Sequence, residues 1–301
     1  MKRILFPATN RVHLARQKLL LKELQEHFEV DIIEYPTRYN YILNNVADIA
    51  NVFRKAIGRN QYDLALIRGD RYEMLPIAML CAYRGIPIAH IEGGDLSGAI
   101  DNKVRHAITT LADIHFATNK ESYSRLISMG TDPNWTFNFG SLDCEYAKSV
   151  KISKVDNPFV LMCHHPMPGE NSELIERIIK EEFNGVVVDI KSNSDNGKAY
   201  GKEEYSPDQY INLIANAKLL VGNSSSFLKE ASVFGTPVVN IGARQIHRLK
   251  PDNVKDVPFD ENQIRQMIRF QLNATYKPSD IYYKPETSLK ITNKIKEFLN
   301  V

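Results

Sequence analysis

From residue 2 to residue 241 the chain repeats one pattern: a short apolar run, a turn, then an amphipathic stretch. Ile4–Phe6 is followed by helical periodicity from Leu14 to Phe28, then by the apolar Val30–Ile33. Asn44 to Ile57 is again helix-periodic and leads into Asp63–Ile67. The alternation continues through Met74–Tyr83, Ile86–Ile91, Val104–Ala112, Ile114–Ala117, Lys120–Met129 and Phe137–Phe139. Strands that alternate with helices form parallel sheets covered on both faces, so an α/β class is expected. The 301 residues exceed one ordinary core and suit two of roughly 150 residues each. A polar stretch without periodicity, Lys148 to Pro158, interrupts the pattern before Phe159–Cys163 restarts it. The expected domains are therefore residues 1–150 and 151–301. The second contains a helix near Ser172–Glu182, a strand at Val186–Val188, a helix at Pro207–Ala217 and strands at Leu219–Val221 and Val238–Ile241. In such sheets ligands sit beyond the carboxyl ends of the strands, and chemistry is sought in the loops that follow them.

Composition narrows the function classes. No apolar run approaches the ~18 residues of a membrane helix, and the apolar start at Ile4 is too short for a signal-peptide core. A cytoplasmic protein with no membrane partner is expected. The 38 basic and 36 acidic residues are interspersed, which gives no basic patch for nucleic acid. Cys81, Cys144 and Cys163 stand far apart, without disulfide or zinc spacing. The adjacent His164 and His165 cannot share one helix face as metal ligands. Neither a metal nor another cofactor is expected.

Two constellations carry chemistry. Val221-Gly222-Asn223-Ser224-Ser225-Ser226, opening the amphipathic Phe227–Val233, reads as a strand, a small polar turn and a helix start. Backbone N–H groups at a helix start, with serine hydroxyls and the helix dipole, receive a phosphate without a lysine. A plain N-cap is the alternative for Asn223 or a serine. Glu230, two turns into that expected helix, is placed to accept the hydroxyls of a ribose. In the first half, acids stand at strand ends: Asp70 after Leu64–Ile67, Glu92 after Ile88–Ile91, and Asp101 just before a helix. Singly, each is an ordinary cap or ion-pair partner. Together they can converge on one sheet edge and push their pKa values apart. Arg11 and Arg71 supply positive charge on the same edge.

Arg68-Gly69-Asp70-Arg71, His90-Ile91-Glu92-Gly93-Gly94 and Ser97-Gly98-Ala99-Ile100-Asp101 through Arg105-His106-Ala107-Ile108-Thr109 resemble, in order and spacing, the UDP-N-acetylglucosamine 2-epimerases. His164-His165-Pro166, Gly222-Asn223-Ser224-Ser225 and Gly242-Ala243-Arg244-Gln245 extend the resemblance over most of residues 1–250. The double glycine after Glu92 and the Ala-Ile-Asp stretch resemble the hydrolysing branch, which serves sialic acid or surface polysaccharide synthesis. The family usually carries a longer segment between the first helix and the Gly-Asp-Arg motif. The resemblance implies the glycosyltransferase-B architecture: two Rossmann-like domains, an interdomain cleft, and a final helix (about 287–300) that crosses back to the first domain. It also implies that Ser224, Ser225, His165 and Arg244 hold the diphosphate, with Arg11 and Arg71 adding contacts. Glu230 would hold the ribose, Asn193 would lie near the nucleotide, and Asp70, Glu92, Asp101 and His165 would take part in catalysis.

The implied reaction removes the C2 proton of the sugar as UDP leaves C1, then adds water to give UDP and N-acetylmannosamine or a related amino sugar. It needs a base, an acid and a stabilised leaving diphosphate. The partner is a small nucleotide-sugar, and a homo-oligomer is compatible with the sequence. A glycosyltransferase-B enzyme using a UDP-sugar donor is the rival reading, and a catalytically dead nucleotide-sugar sensor is a third. Three converging acids distinguish the epimerase from both.

Overall fold

The computed structural model describes residues 1–8, 11–35, 42–97, 101–190, 201 and 204–301, with the side chains of residues 11–13, 42 and 43 also outside the description. The chain divides into two compact units, Met1–Tyr146 with Lys284–Val301, and Ala147–Tyr283.

The first unit is built on six parallel strands, β1 (Arg3–Ala8), β2 (Glu29–Glu34), β3 (Leu64–Arg68), β4 (Ile88–Ile91), β5 (Ile114–Ala117) and β6 (Thr136–Asn138), in the order β2-β1-β3-β4-β5-β6. The apolar runs β3, β4 and β5 are buried at every residue, as strands covered on both faces must be. One face carries Ile4, Phe6, Leu64, Leu66, Phe116 and helical Leu20 and Leu24. The other carries Leu5, Ala65, Ile67 and Ile88 against Ile49, Phe53, Met74 and Ile77. The helices are α1 (Arg11–Arg16), α2 (Lys18–Gln25), α3 (Ile42–Arg59), α4 (Met74–Tyr83), α5 (Asp101–Leu111), α6 (Lys120–Ser128) and α7 (Leu142–Ser149), the last crossing the unit boundary. The continuous helix expected over Leu14–Phe28 is interrupted at Gln17, which takes φ −102° and ψ 8° and is buried. Its N–H bonds Leu14 O at 3.1 Å, a tighter turn than the α-helix makes.

The second unit has five parallel strands, β7 (Phe159–Cys163), β8 (Val186–Asp189), β9 (Leu219–Gly222), β10 (Val238–Ile241) and β11 (Val254–Val257), in the order β11-β10-β9-β7-β8. Its helices are α8 (Ser172–Glu182), α9 (Pro207–Asn216), α10 (Ser225–Leu228), α11 (Glu230–Phe234) and α12 (Glu261–Leu272). A final helix, α13 (Thr287–Phe298), belongs to the first unit, where Ile291 and Ile295 join the core beside Leu20 and Leu24.

Counted from its own first strand, each sheet runs 2-1-3-4-5, with a sixth strand added in the first unit. In this doubly wound order the chain reverses direction between strands 1 and 3, which opens a crevice at their carboxyl ends. The two crevices fall at β1/β3 and β7/β9. No helix among the described residues is long and apolar enough to cross a membrane.

Candidate functional site

In the first unit the predicted acids follow neighbouring strands, and two of them are gripped by buried arginines. Arg68, the last residue of β3, is 5% exposed and donates to Glu92 Oε1 through Nε at 3.1 Å and Nη2 at 2.7 Å. The same Nη2 lies 2.7 Å from Asp143 Oδ2 at the start of α7. Burial disfavours a charged guanidinium here, but Asp143 and Glu92 outweigh it and raise the Arg68 pKa. Asp70, in the turn after β3, accepts a bond from Nη2 of the buried Arg105 on α5. Arg105 Nη1 bonds Asp95 O at 2.6 Å and Asn102 Oδ1 at 3.1 Å. Asp101 is the first residue of α5, where the helix dipole favours a carboxylate.

The backbone around these acids is shaped for them. Glu92 has φ +68°, a left-handed conformation rarely adopted by non-glycine residues, and it turns the chain sharply out of β4. Gly94 follows at φ +76°, and a Cβ there would stand 2.3 Å from Ser122 O on α6. The turn is fixed to α6 by Arg125, which donates to Gly94 O, and by Asp95 Oδ1, which accepts from Thr118 Oγ1 at 2.6 Å and Ser122 Oγ at 2.7 Å. His90 ties β4 to the neighbouring turn. Its Nε2 lies 3.0 Å from Gly69 O, a group that can only accept, so Nε2 carries the proton and Nδ1 accepts from Thr109 Oγ1 at 3.1 Å. Burial pushes the His90 pKa down to about 4, consistent with that neutral form.

Arg71 follows Asp70 in the turn after β3 and pairs with a neighbouring acid. Its Nη2 and Nε bond the buried carboxylate of Glu73 at 2.6 and 3.2 Å, within its own unit. Arg11 lies in α1 after β1, with its side chain outside the described residues, and Asn193 also falls outside them.

In the second unit the loops after β7, β9 and β10 are tied together by one side chain. Asn223, fully buried, accepts from His165 N through Oδ1 at 2.8 Å and donates to His165 O through Nδ2 at 2.9 Å. Its own carbonyl accepts from Arg244 Nη1 at 3.0 Å and Gln245 Nε2 at 2.9 Å. His165, the serine turn and Arg244 therefore meet at the β7/β9 crevice. Gly222 makes the approach possible, because at φ +142° a Cβ would stand 2.0 Å from Cys163 O. Ser224 Oγ pairs with Ser226 Oγ at 2.8 Å, and Ser226 with Tyr210 OH at 2.6 Å. His164 is held between Ser172 Oγ at 2.9 Å and Glu170 Oε2 at 3.1 Å, and burial lowers its pKa to about 4.

The helix expected to run from the serine turn through Val233 is two short pieces, α10 of four residues and α11 of five. Lys229 stands between them at φ −82° and ψ −69°, and its carbonyl accepts from Ser232 twice, from the backbone N–H at 3.2 Å and from Oγ at 2.6 Å. One turn of helix carries little dipole, so the helix terminus adds little to this turn beyond the Asn223-centred convergence. Ser225 opens α10, and Glu230, 1% exposed, opens α11 instead of lying two turns into a single helix.

Sequence reasoning missed Asp143 and the roles of Arg68, Arg105 and Asn223. Asp143 follows β6 in Gly140-Ser141-Leu142-Asp143, a strand-end position of the kind that flagged the other acids. Among the described residues no group of three or more His, Cys, Asp or Glu side chains is arranged to hold a metal.

Two doubly wound parallel units, the first carrying strand-end acids, define an α/β protein of the glycosyltransferase-B fold class. The fold is that of the S. aureus MnaA–UDP complex, with a TM-score of 0.83 at 18% identity over 100% of this chain and 97% of that one. It is also that of the Neisseria meningitidis UDP-GlcNAc 2-epimerase bound to UDP-GlcNAc, with a TM-score of 0.82 at 15% identity, covering 98% and 100%. The UDP-N-acetylglucosamine 2-epimerase family model matches residues 20–296, and this chain belongs to that family. It is 32% identical to a hydrolysing UDP-N,N'-diacetylbacillosamine 2-epimerase of Legionella pneumophila over 75% of this chain and 68% of the relative. It is 29% identical to polysialic acid biosynthesis protein P7 of Escherichia coli over 90% and 79%. A hydrolysing GDP/UDP-N,N'-diacetylbacillosamine 2-epimerase of Campylobacter jejuni is 30% identical over 64% and 60%. The chain thus spans between 60% and 79% of the length of these three relatives.

Proposed function

We propose that this chain is a hydrolysing 2-epimerase acting on UDP-N-acetylglucosamine or a related UDP-2-acylamino sugar, releasing UDP and the free 2-epimer for surface polysaccharide synthesis. One observation carries the reading: carboxylates after adjacent strands, Asp70 after β3 and Glu92 after β4, each gripped by a buried arginine. A binding protein has no use for such an arrangement, whereas proton removal beside a leaving diphosphate requires ionised, oriented acids. Two relatives named as hydrolysing 2-epimerases support it.

In this reading the second unit holds UDP at the β7/β9 crevice through Ser224, Ser225, His165 and Arg244, with Glu230 on the ribose. Arg11 and Arg71 remain assigned as further diphosphate contacts, the latter on condition that it leaves Glu73, and Asn193 as a nucleotide neighbour. The acids Asp70, Glu92 and Asp101 of the first unit act on the sugar. A carboxylate takes the C2 proton while the C1–O bond breaks and its electron pair leaves with UDP, where His165 and Arg244 meet the developing charge. Water then adds its oxygen to C1 of the unsaturated sugar, and C2 is protonated from the opposite face. Residues 1–150 form the sugar-side domain and 151–301 the UDP domain, with the final helix returned to the first.

The test is incubation with UDP-N-acetylglucosamine in heavy water without an acceptor, followed by NMR. Release of UDP together with N-acetylmannosamine deuterated at C2 is expected. Intact substrate that turns over only when an acceptor sugar is added would overturn the reading in favour of a transferase.

A further inference from the structure

The Arg68 guanidinium shows an unequal use of its nitrogens. Nε and Nη2 serve Glu92, and Nη2 serves Asp143 as well, each carboxylate approaching Nη2 at 2.7 Å. Nη1 is buried and has no hydrogen-bond partner among the described residues. Two carboxylates therefore share one cation through the same nitrogen, one on each of its two N–H groups, while Nη1 stands unused. An arginine that gripped Glu92 alone would hold it firmly ionised but would make it a poor base, since the charge that stabilises the carboxylate also weakens its pull on a proton. A second acid on the same nitrogen dilutes that grip.

We propose that Arg68 and Asp143 are positioning residues that set the basicity of Glu92, Asp143 doing so through its negative charge on the guanidinium that Glu92 also uses. The proposal rests on the reading above that Glu92 acts on the sugar, and it adds two residues which that reading does not need. Neither is required to touch substrate. The surroundings of Glu92 contain further charges. Arg16 of α1 reaches Asp143 Oδ1 at 4.0 Å, the Asp70–Arg105 pair follows β3, and Arg125 of α6 bonds Gly94 O. Asp95 is bonded to Thr118 and Ser122, and His90 on β4 is buried and neutral. Asp143 stands on the same Arg68 nitrogen as Glu92.

The two positioning residues carry opposite signs, so their loss has opposite effects. In Asp143→Asn the competing charge is gone, Arg68 acts on Glu92 alone, and the Glu92 carboxyl should titrate about 1 pH unit lower. In Arg68→Gln the cation is gone and the titration should rise by roughly 1 to 3 units. Two readouts separate the device from the reaction. The first is NMR titration of the glutamate side-chain carboxyl carbons in the intact chain labelled with carbon-13, with Glu92 assigned by its disappearance in Glu92→Gln; this needs no turnover. The second is the acid limb of kcat/KM against pH with UDP-N-acetylglucosamine, which should move with the carboxyl, down in Asp143→Asn and up in Arg68→Gln. A merely structural role would lower activity without moving the limb in opposite directions. Should Arg68→Gln fail to fold, Asp143→Asn decides alone, since it keeps the guanidinium and the size of the side chain. A Glu92 carboxyl that stays in place in Asp143→Asn, or moves upward, overturns the proposal. A carboxyl that moves downward while the acid limb stays fixed sustains the ionisation device and removes Glu92 from the rate-determining chemistry.

Discussion

Glu92 and Gly222 show how much of the candidate site resides in backbone conformation. Glu92 stands at φ +68° where glycine would be at ease, so its side chain is required there strongly enough to bear the strain. Gly222 is the reverse case, since any side chain meets Cys163 O. Gly222→Ala should destabilise the protein by about 2–4 kcal/mol, from overpacking together with an unfavourable φ, as measured by urea unfolding. A loss below 0.5 kcal/mol would show that β7 and β9 separate more easily than their register implies. The glycines and acids were legible because each is a residue type with few alternatives at a strand end. Arg68 and Asp143 were not, because their meaning is a pairing across 75 positions that no periodicity encodes. Buried histidines add a pH dependence. His90, His115 and His164 each have burial lowering the pKa to about 4, against roughly 6.5 unfolded. The unfolded chain then binds more protons between those values, so this contribution to stability is complete above about pH 6.5 and is lost as pH falls toward 4. Chemical unfolding at pH 7 and pH 5 should show the decline. His90→Gln, which can keep one of the two bonds, should flatten it by up to one proton's worth, about 1.4 kcal/mol per pH unit.

At the scale of elements, short apolar runs placed most strands and the period-3.6 pattern most helices, because parallel strands covered on both faces are continuous apolar runs. The patterns could not show where helices break. Gln17 and Lys229 interrupt helical stretches through backbone geometry, and no glycine or proline announces either break. Helices α7 and α12 and strand β11 were missed as well, although Asp260 caps α12 through Gln263 N at 2.9 Å and Ile264 and Ile268 repeat on its buried face. The element that matters most for the proposed UDP site is the turn after β9, and its organising residue is Asn223. The side-chain amide of Asn223 imitates a strand partner for His165, while its carbonyl gathers Arg244 and Gln245. Asn223→Ala removes both side-chain bonds to the backbone of His165. The cost should be about 1–3 kcal/mol in stability, with UDP affinity lowered about tenfold or more in calorimetry. Asn223→Asp keeps the acceptor for His165 N but loses the donor and brings negative charge to the crevice, so it should bind UDP more weakly still. Unchanged UDP affinity in both variants would move the nucleotide away from this turn.

At the scale of the whole molecule, the chain returns to its first unit at the end, and the return completes a core. Ile291 and Ile295 of α13 are buried with Leu20, Leu24 and Phe28, and Thr287 Oγ1 donates to Phe139 O at 2.7 Å. Ser288 N and Oγ both donate to the Glu145 carboxylate, at 3.1 and 2.5 Å. A terminal helix with this many buried partners is part of the unit's stability, not an appendage. Both the helix and its place in the first unit were expected only from the family resemblance, since nothing local says which core an amphipathic helix will join. The chain contains a single tryptophan, Trp135, which packs edge-on against Phe298 of α13 with ring centroids 5.0 Å apart. Its fluorescence therefore reports the first unit and, within it, the docking of α13, while far-UV circular dichroism reports the helices of both units. Ile295→Ala removes a fully buried side chain from that core and should cost about 2–5 kcal/mol. The tryptophan transition should move to lower denaturant by that amount. Part of the circular dichroism signal, contributed by the second unit, should still unfold near its original midpoint. An unshifted tryptophan transition would mean that α13 contributes little to the first unit despite its burial, and the role given to the chain's return would fall with it.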